Sequence, residues 1–328
     1  MAASVLLHLG AFAFVLDRPL SLGTLWRELD AKLAYAASLP SPRLVILAGS
    51  NALFSHRCAI IGPMLRLPCV NGGVALGLGL DYQFLRWEAV LRPGDLVYLP
   101  MELQQYAMTP RAAVAGPDLA IMLRHDRASL LALGPSRWPA ALLSGTLEDL
   151  ILSVVEIAAS AARPDLARHA LEDINDAGDG IGHSLRRAAA NRAFLSGLHR
   201  SDPSLHAILA GRGTQEIAAF LGWAAAHQVR AIGGWPTEFA DAPQDPRLVD
   251  TLRSFYAAEG AAFLPLGNQG RYPRGDFFDT QDHLAEECQA RHSIRVAQAL
   301  APLLHEVGAA APSGWAASLA AACPGNPG

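Results

Sequence analysis

Apolar residues fall along this chain in two textures. Some form short unbroken runs ended by glycine, serine or proline, and others recur at helical spacing over longer stretches. Arg43 to Gly49, RLVILAG, lies between a Pro-Ser-Pro turn and a Gly-Ser pair, and predicts a buried parallel strand delivered to a tight turn. Asn51 to Ile61 predicts a helix that stops before Gly62-Pro63, because proline inside a helix forfeits a hydrogen bond. Leu67 to Val70 predicts a second strand and Leu80 to Leu91 an amphipathic helix. Asp95 to Met101 predicts a third strand, entered through the turn Arg92-Pro93-Gly94. The rhythm is βαβαβ.

From about 103 to 225 the strand signal disappears. The residues become rich in alanine and leucine, with breaks at Gly116-Pro117, Gly134-Pro135, Arg163-Pro164 and Asp202-Pro203, which predicts a helical insertion. Val229 to Gly234 and Ala261 to Leu266 then predict two more strands around a helix at Pro246 to Glu259, and 283–306 predicts a last helix. Parallel strands need crossovers that put helices on the sheet faces. The expected fold class is therefore α/β, a three-layer α/β/α sandwich on a mostly parallel five-stranded sheet, spanning residues 25–308 and interrupted by the insertion. The tail 309–328, small and rich in glycine and proline, is expected to be partly disordered.

The segment 1–24 contains an apolar run, residues 2–16, shorter than the roughly 20 residues that cross a bilayer as a helix. It also lacks the basic start of a signal peptide. Two readings stand, a buried first element and a membrane anchor.

Composition narrows the field. With 328 residues, 51% hydrophobic and 17% charged, the chain buries a sizeable core and is not disordered, collagenous or a coiled coil. A net charge of −4 with pI near 6.2 gives no reason to expect nucleic acid as a partner. Cys58, Cys69, Cys288 and Cys323 show no CxxC pair and no Cys/His cluster, so neither zinc nor a disulfide framework is indicated, while a Cys58–Cys69 pairing stays open. No metal or other cofactor is expected. Lys32 is the only lysine.

In an open parallel sheet, ligands bind beyond the carboxyl ends of the strands. Ser50 stands there, immediately after the first strand at the start of a helix, where free N–H groups and the helix dipole favour a negative oxygen. A serine hydroxyl needs a base, and the base needs an acid to set its tautomer. Phe277-Phe278-Asp279-Thr280-Gln281-Asp282-His283 supplies both on the loop after the fifth strand, with His283 as base and Asp279 as acid; the adjacent Asp282 is expected to cap the helix. His292, nine residues on, is expected to face away, and His56 to head away from the strand edge. His183 lies in a polar, glycine-rich loop that either covers the site or is simply a loop. Gly72 or Gly73, in Asn71-Gly72-Gly73 after the second strand, is the candidate oxyanion donor beside the N–H of Ser50. Asn51, Gln104 and Trp235 are candidate substrate contacts, Trp235 with Phe239 as stacking aromatics or equally as core.

Strand-Gly49-Ser50-Asn51, Asn71-Gly72-Gly73 and Phe277-Phe278-Asp279-Thr280-Gln281-Asp282-His283-Leu284 follow one another in the block order of the SGNH (GDSL-like) hydrolase superfamily, which the chain resembles, particularly members associated with polysaccharide and cell-envelope acylation. The resemblance covers roughly 25–110 and 225–305. It implies a flavodoxin-like sandwich and a serine esterase or O-acyltransferase working through Ser50, His283 and Asp279 on acyl esters of an exopolysaccharide or other envelope glycan. It also implies an acylated carbohydrate or small ester as substrate, a polysaccharide-synthesis or membrane acyltransferase partner, and a periplasmic or envelope location, with a cytoplasmic one as the alternative. Two departures are visible. The third block, Pro100-Met101-Glu102-Leu103-Gln104-Gln105, has no asparagine to donate to the oxyanion, leaving Gln104 or Gln105 as substitutes. Three residues separate Asp279 from His283 where the family has two. The rival expectation is a catalytically inactive scaffold that keeps the fold and binds within a polysaccharide-synthesis complex.

Overall fold

A computed structural model describes residues 20–114, 116–135, 137–143, 173–199, 202–304 and 309–324, together with Leu6 and scattered helical positions between 151 and 162. The apolar run at 2–16 lies outside them apart from Leu6. Among the described residues no helix is long and apolar enough to cross a membrane.

The chain folds as an α/β structure. Strands β1 (Leu44–Ile46), β2 (Cys69–Asn71), β3 (Leu96–Leu99), β4 (Arg230–Gly233) and β6 (Ala262–Phe263) form a five-stranded sheet in the order β2-β1-β3-β4-β6. All of its pairings are parallel. Every residue of β1, β2 and β3 is buried, which is why β1 and β3 read as unbroken apolar runs rather than as alternating patterns. The winding runs from β1 to the edge strand β2 and then returns across β1 to β3, so the crevice above β1 and β3 is the point where the strand order reverses. Register places Ile46 opposite Tyr98, so the residues that follow the two strands leave the sheet side by side. Two residues each of β5 (Glu238–Phe239) and β7 (Arg271–Tyr272) form a separate parallel pair that the sequence did not suggest.

Three expectations are corrected. The helix expected over 51–61 is two, Ser50–Ser55 and Cys58–Leu65, with Pro63 inside the second. His56 is extended, and the helix restarts because the Asp179 carboxylate accepts the N–H groups of Cys58 at 2.6 Å and Ala59 at 3.0 Å. The tail contains a helix, Gly314–Ala321, tied to the Glu286–Leu303 helix by a Cys288–Cys323 disulfide. A second disulfide joins Cys58 to Cys69, so the chain carries a disulfide framework after all.

The described part of the insertion is largely helical, but 173–183 is a loop closed by an Ile174–Gly180 bridge. It is stitched to the sheet and the serine helix: the N–H of Asn71 donates to Ala177 O at 2.8 Å, and that of Gly180 to Leu53 O at 3.0 Å.

Candidate active site

Ser50 is half-buried and opens the Ser50–Ser55 helix directly above β1. The residues on either side of it are pinned by one carboxyl group. Glu102, which follows β3 across the crevice, accepts the Gly49 N–H on Oε2 and the Asn51 N–H on Oε1, both at 2.9 Å. Glu102 is itself buried, and its own N–H donates to the Gln105 side-chain oxygen at 3.2 Å. Burial, reinforced by the nearby Asp282 charge, pushes its carboxyl up to about 7, against the pull of the N–H groups it accepts. Among the described residues, neither the hydroxyl nor the N–H of Ser50 has a hydrogen-bond partner.

Asp279 and His283 meet because residues 276–285 double back on themselves. The N–H of Ala285 donates to Asp276 O at 2.8 Å, that of Phe278 donates to His283 O at 2.8 Å, and Phe277 bridges Leu284. Across this hairpin His283 Nδ1 lies 2.7 Å from Asp279 Oδ1. A carboxylate only accepts, so Nδ1 carries the proton and Nε2 is left as the basic nitrogen. The hairpin rests on a small apolar cluster of Phe239, Tyr272, Phe277 and Leu284 that includes the Cys288–Cys323 disulfide.

The hairpin is docked onto the serine helix. Asp282 O accepts from Asn51 Nδ2 at 2.9 Å, Ser55 Oγ at 2.9 Å and Thr237 Oγ1 at 3.0 Å. The His283 ring stacks on Phe54, with centroids 4.2 Å apart. Phe54 lies four residues after Ser50, hence on the same helix face, so the imidazole lies over the face that Ser50 begins. The structure brings Ser50, His283 and Asp279 to one end of the sheet with the base–acid bond closed and the serine–base bond open. Asp282 acts through its carbonyl as the anchor of the hairpin and does not cap the helix.

The other candidates are placed differently. The Gly72 N–H donates to Ile46 O at 2.8 Å as part of the sheet edge, and the Gly73 N–H donates to Asn71 Oδ1 at 3.1 Å, so neither is free for an oxyanion. Gly73 instead provides closeness: a Cβ there would fall 2.6 Å from Ala52 Cβ and 2.7 Å from Leu53 N. Its carbonyl accepts from Lys32 Nζ, an amine only 1% exposed that burial lowers to about 8 while the Glu28 and Asp179 charges oppose the fall. The Asn51 amide nitrogen donates to Thr237 Oγ1 and Asp282 O, which makes the side chain an anchor of the hairpin, while its buried Oδ1 has no partner among the described residues. Trp235 is buried in the core with its ring edge-on to Phe263, and Phe239 is buried against Phe277; neither presents a face for a sugar. Gln104 is half-buried, and Gln105 is buried with its oxygen taken by the Glu102 N–H.

The histidine-bearing loop does come to the site. His183 is buried edge-on to Phe54 and Phe278, next to His283, and burial lowers its pKa to about 4. His292 and His56, each expected to turn away from the site, are buried together, Nε2 to Nε2 at 3.2 Å, with His292 Nδ1 2.8 Å from the Tyr272 hydroxyl. Burial holds both neutral, lowering His56 to about 3 and His292 well below the ordinary histidine value. Glu102, the residue sequence reasoning missed, had one available signal: it follows the strand beside β1 at the carboxyl edge.

No family model matches the chain, and neither does any curated protein or solved structure.

Proposed function

We propose that this protein is a serine esterase or O-acyltransferase of the SGNH type, acting on acyl esters of an exopolysaccharide or other envelope glycan. The observation that carries the reading is the Asp279–His283 bond at 2.7 Å, held over the face of the helix that begins with Ser50. The strand order, with the serine at the reversal point above β1 and β3, agrees with the flavodoxin-like sandwich such an enzyme uses.

In the proposed reaction His283 Nε2 takes the Ser50 proton as Oγ bonds to the acyl carbon, and the carbonyl pair moves onto oxygen. Collapse of that adduct breaks the ester bond, and the leaving alkoxide receives the proton from His283. Water or a sugar hydroxyl then repeats the sequence on the acyl-serine, giving hydrolysis or transfer. The N–H of Ser50 is positioned for the oxyanion, since Gly72 and Gly73 spend theirs elsewhere. The two disulfides support an oxidising location such as the periplasm or envelope.

The same loss of glycine donors, with no asparagine in the third block, favours the second reading, an inactive scaffold within a polysaccharide-synthesis complex. Hydrolysis of 4-nitrophenyl acetate by the wild type and by Ser50→Ala separates them. The enzyme reading expects turnover that the substitution removes; no turnover in either protein rejects it in favour of the scaffold.

A further inference from the structure

Glu102 follows β3, buried across the crevice from the turn that carries Ser50, and both of its oxygens are spent on that turn. One accepts from the residue before Ser50 and the other from the residue after it, both at 2.9 Å. The fit is close enough that a Cβ on Gly49 would fall 2.6 Å from Oε1. The N–H of Ser50, between the two, is left without an acceptor among the described residues. Gly49 and Asn51 therefore cannot offer their N–H groups to a substrate, and the turn cannot rotate without breaking two buried hydrogen bonds.

Resting on the esterase reading, we propose that Glu102 is the positioning residue of the nucleophile turn: it holds Gly49 and Asn51 so that Ser50 projects its hydroxyl and its own N–H into the crevice together. An attacking oxygen and its oxyanion donor then come from one residue, in an arrangement set before substrate arrives. Burial and the Asp282 charge raise this carboxyl to about 7, against the pull of the N–H groups it accepts. Tyr106 and Asp282 are the titratable groups that interact with this carboxyl, and neither is cationic.

The test uses the full chain and a fluorophosphonate probe that bonds to activated serines, with 4-nitrophenyl acetate hydrolysis in parallel, on wild type, Glu102→Gln, Glu102→Ala and Ser50→Ala. Glutamine keeps the volume but presents an NH2 to one of the two N–H groups, so the turn is released on one side. The expected result is labelling of wild type at Ser50. Glu102→Ala should be slowed about 100-fold in labelling and kcat, with KM nearly unchanged, and Glu102→Gln should be slowed about 10-fold in both, again with KM nearly unchanged. If Glu102→Ala does not fold, the glutamine variant decides alone. Wild-type rates in the folded variants overturn the role of Glu102 and leave the esterase reading intact; an unlabelled, inactive wild type overturns both.

Discussion

The imidazole of His283 and the carboxylate of Asp279 face each other across a hairpin, Nδ1 to Oδ1 at 2.7 Å, while Asp282 beside His283 contributes its carbonyl to the serine helix. The two aspartates therefore have separable roles. Asp279→Asn removes the negative charge and lets an amide NH2 face Nδ1, which favours the other tautomer, and kcat for ester hydrolysis is expected to fall about 100- to 10,000-fold with little change in stability. Asp282→Asn keeps the carbonyl anchor, and its kcat is expected to stay within about 10-fold of wild type. Steady-state kinetics on the two variants check this, and the reverse ranking would reassign the acid.

Gly73 is packed against the first turn of the serine helix, where a Cβ would lie 2.7 Å from Gly49 O and 2.6 Å from Ala52 Cβ. Gly73→Ala is expected to cost about 1–3 kcal/mol and to lower esterase activity, because the helix start must shift to admit the methyl. Gly275→Ala, where a Cβ meets nothing within 4 Å, is the control and is expected to match wild type in urea unfolding and in turnover.

The Cys288–Cys323 disulfide closes a sequence separation of 35 residues under the hairpin that carries Asp279 and His283. Chain-entropy reasoning puts its contribution near 4 kcal/mol. The double variant Cys288→Ser, Cys323→Ser is expected to lose about that much in denaturant unfolding and to lose activity at lower urea concentrations than it loses helix. Unchanged stability would show that the tail helix is held by packing alone.

His56 is lowered to about 3 in the folded protein and returns to the ordinary histidine value on unfolding. The folded state thus binds fewer protons than the unfolded state between about pH 6.5 and pH 3, so His56 contributes stability that is present above 6.5 and lost as pH falls. Glu102, raised to about 7, acts with the opposite sign between about pH 4.5 and 7. A difference measurement isolates the histidine: relative to His56→Phe, wild type is expected to lose up to ~1.4 kcal/mol for each pH unit below 6.5. A constant difference across that range would mean that His56 titrates normally when folded.

The central strands were legible because each is buried on both faces and ended by a turn residue, so RLVILAG and DLVYLPM announce themselves. β5 and β7 were not, since two-residue strands carry no periodicity. Ser50, Asp279 and His283 followed from where strands end. Glu102 was missed for a physical reason: a glutamate after a strand reads as solvated, and only the fold shows two N–H groups waiting for it. Trp235 failed in the opposite direction, because an aromatic after a glycine pair looks like a platform until the core is seen to close over it. The His56–His292 contact, 236 residues apart in sequence, and the Cys288–Cys323 pairing, 35 apart, depend on which elements become neighbours in the fold, and local pattern carries no such information.

Lys32, the chain's only lysine, is sealed against the Gly73 carbonyl. Carbodiimide-free amine chemistry therefore finds no accessible side-chain target on the folded molecule. Dyes, cross-linkers and sensor surfaces built on activated esters will reach that amine only when the helix Leu20–Ser38 lifts away, which makes its acylation rate a clock for the opening of the face beneath the serine turn.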